Sequence, residues 1–543
     1  MYFLQARAIA AYAGINLHER TLFIDNANII ESYFGVTSPL TYTFAKDVYR
    51  DVYTASLQLG KVRKKIMDAL APSLSEMLYQ YEGKIYYNMH SWYHVNSVFP
   101  FRKSSSYMEG MMGVKSGSKQ YKRVKMNWLD MLKLGVLLVQ KLRNIDELSD
   151  NFERNFQRIV QPYYGKKIEG KNEELYALFK QIEKDIVKEF AIPVVNDCGV
   201  MIYFGMLKER AKKCGVSTEE LNTYISNQGE VKSAGSAKDL VELISVIHAD
   251  EEMKKDFLSL DTTSLAEKYK DNEKISPLLE KYRLTYGARV RDELKLETVT
   301  MIEDEGMLYA LLKDNLSVEY KQPQYAQPSI PKKLKRLTEK TKKYIQNRER
   351  LRLYRTYVYS VVRNIFLAYG RNYAAENRLE KAEDVFYLTK AEVFSGDGDF
   401  KALVNQRKQQ AAEDENKPIY NRVVFFGEKA MPVKSGTAGQ GLHGIPSGNG
   451  IIKARVSLMN TPQDTLKEGN IILTKRTDPG WISLFPKASG LIVEHGSMLS
   501  HSFVVARELN LPAVVGVELA TSKIQDNALV TLDGLKGEII IED

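Results

Sequence analysis

The chain has 543 residues, of which 44% are hydrophobic, 27% charged and 10% aromatic. This is a soluble globular composition; it excludes a mostly disordered, collagen-like or disulfide-scaffold protein, and the length calls for several domains. Lys and Arg number 77 against 68 Asp and Glu, for a formal net charge of +9, but the basic residues are interleaved with acidic ones along most helical segments, so nucleic acid is not implied. From residue 441 onward nine Lys and Arg stand against eleven Asp and Glu, so the preceding 440 residues carry +11. A basic body of this kind suits the grip of an anionic ligand.

The first fourteen residues, MYFLQARAIAAYAG, carry no basic segment ahead of an apolar core, and no signal peptide is expected. From 73 to 388 apolar residues recur at helical spacing with charges between them, as in 128–142, 175–190 and 348–370, which predicts a large, mainly α-helical body. Within it the apolar stretch 131–139 is broken by Lys133 and is too short to span a bilayer, so it reads as a buried helix segment and no membrane association is expected. The two cysteines, Cys198 and Cys214, have no CxxC or Cys/His cluster around them. They read as reduced thiols of a cytoplasmic protein, with no metal site.

After residue 388 the texture changes. A charged run, 406–417, leads to VVFF and then to a Gly/Ser-rich stretch, 436–450, which reads as a tether permitting relative motion. The pattern GxGxxG at Gly439, Gly441 and Gly444 lacks a flanking strand and helix and reads as linker composition, and no GxxxxGK[ST] phosphate loop occurs. Short β-rich runs follow (IIKARVSLM, NIILTKR, ASGLIVEH, AVVGV, NALVTLD and GEIIIED), with one short helix, 502–509, among them. The fold class is therefore multidomain α+β: a large, mainly α-helical body followed by a small α/β domain.

The chemistry concentrates in ASGLIVEHGSMLSHSFVVARELNLPAVVGV, residues 488–517. A strand runs into a tight loop, and a helix opens at His501 or just after it. At such a helix start the unpaired N–H groups and the positive dipole end favour an anion, and Ser497 and Ser500 can cap the helix or donate to phosphate oxygens. The same field keeps an imidazole neutral and nucleophilic, so that attack on phosphorus would give a phosphohistidine. Equally, His501 can be a simple capping residue; the residues alone leave both readings open. His495, at a strand end, reads as structural or orienting.

Residues 477–517 closely resemble the mobile phosphohistidine domain of the phosphoenolpyruvate synthase and pyruvate phosphate dikinase family. The matching residues are Gly496-Ser497, Ser500-His501, Ala506-Arg507-Glu508 and the LPAVVG of 511–516, and Ser497 stands where the family has a second glycine. The resemblance places His501 on the phosphorylated histidine of a swivelling domain. At the other end MYFLQARAI is similar to the last strand of the family's ATP-grasp domain; Gln5 and Arg7 match residues that contact nucleotide phosphate or its metal, and Ala8 replaces a proline. Between them ESYFGVTSPLTYTFAK, YYNMHSWYHV, MEGMMGVK, YGARVRDELKLET and NRERLRLYRT resemble, in order, the helical substrate domain of the rifampicin-phosphotransferase-like branch.

The resemblance implies four parts: a remnant of the ATP-grasp terminal strand at 1–12, a helical substrate-binding-like domain at 13–405, a flexible linker at 406–440 and the mobile phosphohistidine domain at 441–543. It implies a phosphotransferase component, inactive without an ATP-grasp partner on a separate polypeptide. His501 would be phosphorylated there from ATP, with Mg²⁺ on the partner, and would pass the group to a small-molecule acceptor in the helical body. The alternatives are a non-enzymatic phosphocarrier or scaffold, and one component of a split phosphoenolpyruvate synthase; no phosphoenolpyruvate-binding barrel follows residue 543, which argues against complete synthase chemistry.

Three further groups are candidates on residue type. Arg348, Arg352 and Arg355 stand at i, i+4 and i+7 and present guanidinium groups on one helix face, either a phosphoryl clamp or a solvated, ion-paired surface. Arg289, Arg291, Asp292, Glu293 and Glu297 could supply a deprotonating carboxylate, though an ion-pair network is the favoured reading. Tyr86, Tyr87, His90, Trp92, Tyr93 and His94 are expected in core or interface more than in a pocket wall, and Met108, Met111 and Met112 read either as an adaptable apolar lining or as plain packing.

Overall fold

The computed structural model describes residues 21–26, 29–98, 124, 126–225, 232–290, 292–316, 329–426, 429–432, 442–447, 450–461, 464–477, 481, 484–496, 501–517 and 519–542. These fall into two compact units that interleave in sequence. One takes residues 1–201, 294–297 and 357–436, the other 202–293, 298–356 and 437–543.

The first unit is built on a five-stranded antiparallel sheet of β1 (Thr21–Asp25), β2 (Leu78–Tyr81), β3 (Lys84–Asn88), β4 (Arg422–Phe426) and β5 (Lys429–Pro432), in the order β2-β3-β1-β4-β5. Strand β1 is central, pairing Ile24 with Asn88 on one side and with Val423 on the other. The apolar residues of its inner face, Ile24, Tyr86, Val423 and Phe425, form one buried cluster. Asp25 and Arg422 form a buried ion pair between the two strands, Nε donating to Oδ2 at 2.5 Å, and each charge needs the other to stay buried.

Helix Pro39–Leu59 begins with Pro at its first turn and Ser38 as its cap, whose hydroxyl accepts from the Thr41 amide. The Glu297 carboxylate completes that start, accepting from the Ser38 amide (2.9 Å), the Ser38 hydroxyl (2.7 Å) and the Thr41 hydroxyl (2.6 Å). Glu297 is thus a structural anchor that holds the short segment 294–297 in this unit.

Most of the linker expected at 406–440 is ordered secondary structure. Helix Phe400–Glu415 starts on an Asp399 cap, and Arg407 holds Glu392 with two hydrogen bonds of 2.6 and 2.9 Å. Residues 422–426 and 429–432 then form the β4–β5 hairpin. The polar composition of 406–417 marks an exposed helix face, and VVFF finds its partner far away in TLFID; neither fact is visible locally. Residues 433–441 lie outside the described residues, as do 1–12, with Gln5 and Arg7, and 108–112 with its three methionines. Tyr86, Trp92 and Tyr93 are buried, which makes the aromatic stretch core.

In the second unit, helices Lys232–His248, Glu251–Ser259, Thr262–Tyr269, Ser276–Tyr286 and Gly306–Asn315 share a core containing Ile247, Phe257, Leu265, Ile275 and Leu312. Helix Lys332–Ala375 is 44 residues long, and its residues 332–356 belong here.

The carboxyl-terminal part of this unit is an eight-stranded sheet of β6 (Leu442–His443), β7 (Ile445–Ser447), β8 (Ile451–Leu458), β9 (Ile471–Thr474), β10 (Gly490–Val493), β11 (Ala513–Val515), β12 (Leu529–Asp533) and β13 (Glu538–Ile541). The order is β6-β13-β12-β8-β9-β10-β11-β7, and β8, β9, β10 and β11 run parallel. Strands β9, β10 and β11 are buried at every position, as continuous apolar runs must be when both sheet faces are covered. Trp481, Phe485, Phe503 and Ala506 pack one face, and Ile492, Val514, Ile524 and Val530 belong to the core on the other.

By length and composition alone, the run 172–213 is apolar enough to cross a membrane, and 56% of its most apolar window is buried inside the protein. Phe179, Ile182 and Val200 are among its core residues, so it does here what a core helix does.

Candidate functional site

The carboxyl ends of β9, β10 and β11 lie on one edge of the parallel sheet, where open α/β sheets gather their ligand-binding loops. Helix His501–Glu508 lies between β10 and β11 in sequence and starts at His501; its Phe503, Val505 and Ala506 pack against the sheet. Backbone hydrogen bonds stitch the edge together: the Glu494 amide donates to the Thr474 carbonyl (3.0 Å), the His495 amide to the Lys475 carbonyl (2.8 Å) and the Val517 amide to the Val493 carbonyl (3.1 Å). Gly516 is required there. Its φ is +72°, and a Cβ would stand 3.0 Å from the Gly496 carbonyl oxygen.

Glu494 and His495 turn inward. The Glu494 carboxylate accepts from the Thr521 amide (3.0 Å) and hydroxyl (2.5 Å). The His495 ring stands 3.8 Å from the same carboxylate. Burial pushes its pKa down, with the carboxylate opposing that in part, and the ring is neutral at pH 7. His495 is thus a buried, neutral ring just beyond the end of β10. Ser497 and Ser500 lie outside the described residues.

Arg348, Arg352 and Arg355 all lie on helix Lys332–Ala375. Arg352 is 3.7 Å from Glu349, which is itself buried, as the ion-paired reading requires. Arg355 differs: among the described residues, nothing accepts from its buried Nε and Nη2. Buried guanidinium donors without acceptors are costly unless an anion arrives. The second acid-base cluster disperses into ion pairs. Arg289 faces Glu293 at 3.6 Å, Asp292 pairs with Arg476, Glu297 anchors helix Pro39–Leu59, and Arg291 lies outside the described residues. No carboxylate among these three is held ready as a base.

Comparison with known proteins bears directly on this edge. The family model described as PEP-utilising enzyme, mobile domain, matches residues 466–537, which hold β9 to β12, the His501 helix and its loops. A second, the rifampicin phosphotransferase fourth domain, matches residues 196–367. Both matches support a likeness to the phosphoenolpyruvate-utilising enzymes, on the rifampicin-phosphotransferase-like branch. Rifampicin phosphotransferase of Bacillus cereus is 27% identical over 304 residues, 50% of this chain and 35% of that protein. Phosphoenolpyruvate synthase of Aeropyrum pernix is 39% identical over 101 residues, 18% of this chain and 12% of the synthase. Rifampicin phosphotransferase of Bacillus subtilis is 40% identical over 99 residues, 18% of this chain and 11% of its own. The chain thus spans about a third or less of the length of these relatives.

Two features of this chain have no signal in the sequence. Arg476 meets Asp292 across 184 positions of chain. In the first unit a cavity of about 510 Å³, lined by Lys61, Arg63, Ile66, Asp130, Leu134 and Leu137, has the volume and apolar lining of a small-molecule site. Beside it Trp128, Leu132 and Val136 are exposed. Helical periodicity places these residues on a helix but does not say which face stays uncovered.

Proposed function

We propose that this chain is the phosphoryl-carrying and acceptor-binding component of a phosphotransferase. An ATP-grasp domain on a separate polypeptide binds ATP with its Mg²⁺. The His501 imidazole forms a bond to the β-phosphorus, AMP departs, water releases the γ-phosphate as inorganic phosphate, and a small-molecule acceptor hydroxyl then attacks the remaining phosphorus, losing its proton as the N–P bond breaks and the imidazole leaves. One observation carries the reading: His501 opens a helix at the carboxyl edge of a parallel sheet, in the domain that matches the family's mobile domain. The start of a helix offers amide donors and a positive dipole end, which stabilise the charge of a phosphohistidine.

On the acceptor side the buried, acceptor-less donors of Arg355 support the clamp reading for the Arg348–Arg352–Arg355 face. Among the described residues no group of three His, Cys, Asp or Glu side chains is placed to hold a metal ion, so no step is assigned to a metal on this chain. The rifampicin-phosphotransferase reading is favoured over a split synthase because the Bacillus cereus similarity reaches half of the chain, whereas the Aeropyrum pernix similarity covers 18%.

The test uses the purified chain, a candidate ATP-grasp polypeptide and ATP labelled at the β-phosphate. The expected result is acid-labile label on the chain, lost in His501→Ala. Label retained in that variant assigns the site elsewhere, and label that enters His501 but never leaves, with any acceptor offered, favours the phosphocarrier. The chain alone is expected to leave ATP intact.

A further inference from the structure

We propose that Arg476 and Asp292 are a positioning pair that fixes where the His501-bearing edge docks on the helices of the second unit. Arg476 stands two residues beyond the end of β9, on the same edge of the sheet as the 494–496 turn. That turn is tied to the segment carrying Arg476: the Glu494 and His495 amides donate to the Thr474 and Lys475 carbonyls, and the Thr474 hydroxyl donates to the carbonyl of Arg476 itself (3.1 Å). What fixes Arg476 therefore fixes the start of the loop that leads to His501.

Asp292 supplies the other half. It follows helix Ser276–Tyr286 and lies outside the carboxyl-terminal sheet. Its φ is +57°, in the left-handed region that aspartate tolerates better than most residues. Arg476 Nη2 donates to Oδ2 at 3.0 Å and Nη1 lies 2.9 Å from Oδ1 as an ion-pair contact, with the two side chains 5% and 15% exposed. A charge-assisted hydrogen bond beside a second close ion-pair contact restrains direction as well as distance, which an apolar contact does not. Lys487 adds a second point, donating to the Asp314 carbonyl at 3.2 Å, at the carboxyl end of helix Gly306–Asn315, where a cation complements the helix dipole.

The chemistry of the pair suits a surface that parts and rejoins. Both partners are well solvated when separated, so the net gain from closure is small, while a closed pair lacking one partner is strongly disfavoured. The pair selects one docked posture without making it permanent. Arg476 and Asp292 act through placement of the edge and are given no contact with the reacting atoms. The functional meaning rests on the swivelling reading above; the docking itself does not.

The experiment uses the full chain in a Cys214→Ser background, with spin labels at Lys255→Cys on the helices and Lys523→Cys on the sheet domain, both exposed positions. Inter-label distances are measured by pulsed dipolar spectroscopy in the parent, in Arg476→Met, in Asp292→Asn, which keeps the left-handed backbone, and in the double variant. The parent should give one narrow distance population. Each single variant should at least double its width, and the double variant should be no broader than the worse single, since the two act as one unit. Unchanged widths in both single variants overturn the proposal, as does simple addition in the double variant. Hydrogen exchange in β9–β11 guards the fold; if Arg476→Met loosens those strands, Asp292→Asn, outside the sheet, decides. In parallel His501 labelling is assayed as above. Absence of label with broadened distances sinks the phosphotransfer reading alone, and label with unbroadened distances sinks the pair alone.

Discussion

The two sheets of this protein are assembled in opposite ways. The antiparallel sheet of the first unit closes only when β4 joins β1, across almost four hundred residues of chain, and it seals that joint with the buried Asp25–Arg422 pair. The parallel sheet of the second unit draws every strand from the last hundred residues, and β9, β10 and β11 are apolar and buried throughout. A sheet of local origin, covered on both faces, is self-sufficient, as the proposed carrier role would require. A sheet of distant strands joins a chain together and belongs where the scaffold must hold still.

The contrast is most exposed to test at Trp481, which is almost completely buried. Trp481→Ala should cost about 3–5 kcal/mol and speed hydrogen exchange in β9–β11 while β1 and β4 keep their protection. Equal loosening of both sheets would break the claim of independence. Arg422→Met should cost about 3 kcal/mol by leaving the Asp25 carboxylate buried without its partner, and the loss should appear at β1 and β4 with the carboxyl-terminal strands unaltered.

Glu297→Gln should cost about 1–2 kcal/mol, because three hydrogen bonds lose an ionised acceptor; urea unfolding followed in the first unit would measure it. The smallest effect is a pH dependence at His495. Burial depresses its folded pKa, so the unfolded chain binds the proton more readily. Stability from this group is complete above the unfolded value of about 6.5 and declines as pH falls through and below it, by at most about 1.4 kcal/mol per pH unit. Melting of the sheet domain between pH 7.5 and 5 should show the slope, and His495→Gln should flatten it.

The carboxyl-terminal domain was legible because its signals are local: apolar runs between turns, and a histidine placed between a strand and a helix. The helical body was legible as helix for the same reason, through its periodicity. What could not be read was distance. The residues of 406–417 look like a solvated linker until the Asp399 cap and the Arg407–Glu392 pair make them a helix, and VVFF has no evident role until TLFID pairs with it. The acidic cluster at 289–297 misled in a related way: Asp292, Glu293 and Glu297 are neighbours in sequence, yet one meets Arg476, one Arg289 and one the cap of helix Pro39–Leu59. Shared position along a chain said nothing about shared chemistry.

The late arrival of β4 also matters while the protein is being made. Strand β1 and its neighbour β3 leave the ribosome early, but the other edge of β1 stays open until residues 422–426 emerge. At about 5–20 residues per second that wait is roughly 20–80 s. During it TLFID offers unsatisfied backbone groups to any passing strand. Newly made chains are therefore most exposed to mispairing with one another before residues 422–426 have been translated, and slow translation between β3 and β4 would lengthen that interval.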